Sequence, residues 1–87
     1  MSAKILIKKR NRDYGILTWG LYDDFDIKTL FENKSSISLD FDGKVKLKTV
    51  DYKYRRLSIG KKVLTNNPDA KFFILSKKKD IIYLTIE

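Results

Sequence analysis

The sequence predicts an α+β fold that is mostly β: a small antiparallel sheet or partly closed barrel of about five to six strands with one short helix. Three observations carry this reading. Apolar and polar residues alternate with a period of two along most of the chain, the mark of strands with one face buried. Only one segment shows helical recurrence. Between the alternating runs, Asn, Asp, Gly and Pro gather in clusters that suit turns. One domain spanning residues 1–87 accounts for the whole pattern, with no repeat and no linker.

Taken in order, residues 3–8 are rich in isoleucine and read as a first strand. Residues 14–21 read as a second, and Asn11, Arg12 and Asp13 supply a turn that makes the two a hairpin. Residues 26–34 are the helical candidate: Ile27, Leu30 and Phe31 recur at i, i+3 and i+4, and Asp24 or Asp26 can cap the exposed amides at its start.

A second hairpin turns near Asp42 and Gly43. A three-residue loop of Phe41, Asp42 and Gly43 sets Asp40 opposite Lys44 and Ser38 opposite Lys46, and sets Leu39 opposite Val45 on the other face. A two-residue Asp42-Gly43 turn instead puts the lysines beside Ile37, Leu39 and Phe41. Separation of polar from apolar residues favours the three-residue loop, with Lys44, Lys46 and Lys48 as a solvent-facing row. Residues 51–59 continue as strand or start a new one, with Gly60 as a break or bulge, and residues 66–69 form a loop. Residues 70–76 and 81–86 make a last hairpin, with either Phe72 and Ile74 or Phe73 and Leu75 inward, and with Ile82, Leu84 and Ile86 on one face. So many short strands tend to close toward a barrel, which removes exposed edges.

Hydrophobic residues at 43% and aromatic residues at 13% suffice for an ordered core in 87 residues. A core this small leaves a thin stability margin, which makes a homodimer a reasonable expectation. With no cysteine there is no disulfide framework or thiolate metal site. Basic residues follow the short apolar triplet Ile5 to Ile7, the reverse of a signal peptide. No apolar run approaches the length of a membrane span. A soluble cytoplasmic protein without a membrane partner is therefore expected.

Charge is the strongest functional signal. The net formal charge is +8, distributed as +4 over residues 1–19, −4 over 20–42, +7 over 43–62 and +1 over 63–87. Lys44, Lys46, Lys48, Lys53, Arg55, Arg56, Lys61 and Lys62 crowd the basic block, opposed only by Asp51. A row of cations at strand spacing can contact successive phosphates and release their counterions. Tyr52 and Tyr54 lie within it, two residues apart, and can stack on unpaired bases if exposed. Lys8, Lys9 and Arg10, followed by Arg12, form a second basic cluster. Trp19 is expected in the core.

Enzyme chemistry is poorly served. Neither histidine nor cysteine is present, which removes the commonest general base and activated nucleophile. Asp26, Asp42 and Lys44 echo the acidic pair and lysine of a metal-dependent nuclease, but Asp42 suits its turn and Asp26 a helix start. The four glycines, at 15, 20, 43 and 60, fit neither a dinucleotide fingerprint nor a P-loop. No cofactor and no metal are expected. The sequence thus predicts a non-enzymatic nucleic-acid-binding module, for DNA or RNA. The alternative is a small inhibitor or accessory subunit that acts on a nucleic-acid-processing enzyme by binding protein, with the basic face complementing an acidic partner or the aromatic and acidic residues 22–26 forming the contact.

Overall fold

The computed structural model describes residues 2–87. The elements in chain order are β1 (Ser2–Leu6), α1 (Lys9–Tyr14), β2 (Ile16–Thr18), α2 (Leu21–Leu30), β3 (Ser36–Phe41), β4 (Lys44–Thr49), β5 (Arg56–Ser58), α3 (Lys61–Thr65), β6 (Phe72–Lys78) and β7 (Ile81–Ile86). Five strands form one sheet in the order β1-β6-β7-β3-β4, and β2 pairs with β5 in a separate ribbon. The main sheet is open at β1 and β4 rather than closed into a barrel. It is antiparallel except where β3 runs parallel to β7. No described helix is long and apolar enough to cross a membrane.

One face of the sheet is buried. Ile5, Phe73, Leu75, Ile82, Leu84, Ile37 and Leu39 alternate inward from β1, β6, β7 and β3. They meet Ile27, Leu30 and Phe31 of α2 and the loop after it, Leu64 of α3, and Leu17 and Leu57 of the ribbon. Trp19 closes this core with its ring edge-on to Phe31 at 6.0 Å and to Tyr52 at 6.4 Å. Every buried strand residue of the main sheet lies on this face. The opposite face is open to solvent and displays Phe72, Ile74, Tyr83, Val45 and Leu47 among polar neighbours.

Several expectations are corrected. The first two strands do not form a hairpin: β1 pairs with β6, β2 pairs with β5, and the expected turn is α1. That short helix has no apolar stripe. It is held by Asn11, which is fully buried, accepts a hydrogen bond from the Lys8 amide at 2.7 Å and donates to Thr18 Oγ1 at 2.9 Å. Gly15 ends it in the left-handed conformation at φ 64°. A Cβ at Gly15 would stand 2.5 Å from the Lys61 amide nitrogen, so the start of α3 can approach only because a glycine is there.

The expected helix over 26–34 instead spans Leu21–Leu30 with Gly20 as its N-cap. Its buried stripe is as expected, but Leu21, Tyr22 and Phe25 extend it toward the N-terminus on an exposed surface that carries no core periodicity. Asp24 is therefore not a cap. It accepts from Trp19 Nε1 at 2.9 Å and pairs with Lys28 at 2.9 Å, and these contacts, the indole bond first, hold its carboxyl below the usual carboxylate range. At the other end, Glu32 and Asn33 at φ 55° and 53° stop the helix short of the expected position. The strand expected over 51–59 is broken by a turn at residues 52–55, after which only Arg56–Ser58 is strand, and α3 follows Gly60. The last strand matches its expected range, whereas β6 runs two residues later than expected, over Phe72–Lys78, with Phe73 and Leu75 inward.

Candidate nucleic-acid interface

The row Lys44, Lys46 and Lys48 is built differently from expectation. The hairpin uses the two-residue Asp42-Gly43 turn, both residues having positive φ, so Phe41 faces Lys44, Leu39 faces Lys46 and Ile37 faces Lys48. Directly opposed residues share a face, so the lysines stand on the core side of edge strand β4. There they flank a small cleft with Ile59 and Val63. Val45 and Leu47 point to the open face, with Leu47 74% exposed. The turn's conformational preference outweighs the separation of polar from apolar residues because β4 lies beyond the edge of the core. There a lysine stem covers apolar surface while its ammonium reaches water, and the charges discourage further strand pairing. Lys61 and Lys62 are exposed on the first turn of α3.

A second basic site is assembled by tertiary pairing. The pairing of β2 with β5 sets Thr18 opposite Arg56, which brings the turn at residues 52–55 beside Trp19 and facing α1. Between them lies a groove of about 600 Å³, within the size range of small-ligand sites, roughly 300–1,000 Å³. Lys8 and Arg10 line one side; Lys53, Tyr54, Arg55 and Arg56 line the other. Ile16, Thr18 and Trp19 of the ribbon strand and its extension line it as well, as do Leu6 and, at the start of α2, Gly20 and Asp23. Asp23 is the one carboxylate among the lining residues.

The turn that carries the second wall is tied by its own hydrogen bonds. Asp51 accepts from the Tyr54 amide at 3.0 Å and from Arg56 Nε at 3.3 Å, and its backbone exchanges both hydrogen bonds with that of Arg56. Arg55 sits at φ 53°, a left-handed conformation held in part by its carbonyl accepting from the Trp19 amide at 3.1 Å. The Arg55 side chain enters the groove with a buried Nε that has no hydrogen-bond partner. Lys8, Arg10, Lys53 and Arg55 have no carboxylate partner among the described residues, whereas Arg56 pairs with Asp51.

The two tyrosines do not share a face. Tyr52 packs against Trp19, and its hydroxyl donates to the Lys34 carbonyl at 2.6 Å. Burial raises its pKa above the ordinary tyrosine value. It is partly buried and packs against the core. Tyr54 is 60% exposed at the groove, with Lys53 Nζ 5.4 Å and the Arg56 guanidinium 5.1 Å from its ring centroid. Lys9 is exposed on α1 but does not line the groove. Arg12 serves the fold, donating to the carbonyls of Leu64, Asn67 and Ala70 beyond and at the end of α3. The sequence reading missed the union of Lys8 and Arg10 with residues 53–56, and no local signal marks it.

Asp26 is exposed on α2 and Asp42 sits in the β3-β4 turn. Among the described residues no group of three or more carboxylates is disposed to hold a metal ion. In comparisons with known proteins, the chain matches no family model, no curated protein and no solved structure.

Proposed function

We propose that this protein is a non-enzymatic nucleic-acid-binding module that holds the phosphate backbone in the groove between α1 and the turn at residues 52–55. The observation that carries the reading is the groove itself: Lys8, Arg10, Lys53 and Arg55 line it, and among the described residues none of them has a carboxylate within ion-pair distance, Asp24 acting on Arg55 only from farther away. The Arg55 guanidinium lines the groove, and a phosphate oxygen is an acceptor suited to a guanidinium; its Nε is buried and is not the contacting atom. Lys44, Lys46 and Lys48, with Lys61 and Lys62, form an outlying basic surface that adds attraction at longer range.

Charge reversal tests this reading. The pair Lys53→Glu and Arg55→Glu is expected to lower affinity for a labelled oligonucleotide at least a hundredfold, while Lys46→Glu and Lys48→Glu together cost less than tenfold. Equal losses from the two pairs would move the site to β4. Unchanged binding by a folded groove variant would remove the groove from the interaction.

A second reading, a protein-binding inhibitor or accessory subunit, is favoured by one observation. Leu21, Tyr22 and Phe25 are exposed together on α2 beside Asp23 and Asp26, the mixture of aromatic anchors and charge found at protein contacts. Under that reading Tyr22→Ala and Phe25→Ala abolish the interaction and leave oligonucleotide affinity unchanged.

A further inference from the structure

We infer that the groove takes one unpaired nucleotide of a single strand, with its base on Tyr54 and its flanking phosphates on the opposed basic walls. The inference rests on the nucleic-acid reading above and narrows it to a substrate class.

Three features point this way. The site is concave, with cations on both sides, whereas reading a duplex groove requires a helix or ribbon that projects into it. Tyr54 offers an exposed ring at the groove, on a turn fixed by Asp51. A base buried in a duplex stack cannot lay its face on that ring; an unpaired base can. The Arg56 guanidinium near the same ring adds a planar cation, a second surface on which a base can stack. Finally, the groove lining is not uniformly polar. Leu6 and Ile16 line it together with Arg55 and Lys8, which gives a sugar apolar surface in the same groove as cations for the phosphates. Asp23 at the start of α2 is a negative group that every phosphate must avoid, so binding is oriented away from that end.

The test is fluorescence anisotropy with a labelled oligothymidylate and with a blunt hairpin duplex of equal phosphate number, at one low salt concentration. Wild type, Tyr54→Ala, Tyr54→Phe and Arg55→Gln are compared, each checked for fold by circular dichroism. Tyr54 is exposed, so its truncation leaves the core intact. The single strand is expected to bind at least tenfold more tightly than the duplex. Tyr54→Ala should lose about tenfold or more in single-strand affinity, the scale of one base-aromatic stack, while Tyr54→Phe retains it. Duplex affinity equal to or above single-strand affinity, or wild-type binding by Tyr54→Ala, overturns the inference. If Arg55→Gln still weakens binding in that case, the nucleic-acid reading stands without it. Absence of binding to either probe by the wild type overturns both.

Discussion

Gly15 and Asn11 show how few side chains decide the geometry of the groove. Both belong to the α1 region, which lacks any hydrophobic stripe. Replacing Gly15 by alanine forces a Cβ into the Gly60-Lys61 backbone and imposes a left-handed conformation on an L side chain, so a loss of more than about 1 kcal/mol is expected in chemical denaturation. Asn11→Ala leaves the Lys8 amide and the Thr18 hydroxyl without their buried partner, and about 1–3 kcal/mol is the expected cost. Asp24 carries a pH dependence. Its folded pKa is lowered, first by the Trp19 indole and then by Lys28, so its contribution is complete above the unfolded carboxylate pKa of about 3.9. It disappears as pH falls through the lower folded value. An acid titration followed by Trp19 fluorescence should show this component in the wild type and lose it in Asp24→Asn.

At the scale of elements, the last hairpin and the buried stripe of α2 were legible because local pattern and tertiary role agree: Ile82, Leu84 and Ile86 alternate, and Ile27, Leu30 and Phe31 recur helically. α1 was illegible because it is held by Asn11, Arg12 and a glycine cap rather than by apolar periodicity. The β3-β4 register was misread because an edge strand escapes the rule that polar and apolar residues separate by face. That register has a direct test. Leu39→Ala, in the core, is expected to cost about 2–5 kcal/mol, and Leu47→Ser, on the open face, to stay within about 0.5 kcal/mol. A core-sized cost for Leu47→Ser would restore the three-residue loop, which sets Leu47 on the same buried face as Leu39. The start of α2 has its own test. Asp23→Asn removes the one carboxylate lining the groove and should tighten oligonucleotide binding severalfold.

For the molecule as a whole, the charge blocks of the sequence acquire positions. The acidic block runs through α2 and begins at the edge of the groove, while basic residues from the two ends of the β2-β5 pairing converge on it. Lys8 and Arg10 lie more than forty residues from Lys53 in sequence. The long-range pairing of β2 with β5 unites them, which is why the basic composition was legible and its focus was not. A focused patch of positive charge between low-dielectric walls concentrates the field and favours capture of a polyanion.

The most direct measurement is the salt dependence of wild-type affinity for a single-stranded oligonucleotide. With one phosphate for each of Lys8, Arg10, Lys53 and Arg55, the slope of log K against log salt is expected near −2.8, taking about 0.7 counterions released per single-strand phosphate. A slope near zero, or no binding at low salt, would contradict the claim that this groove holds a phosphate backbone.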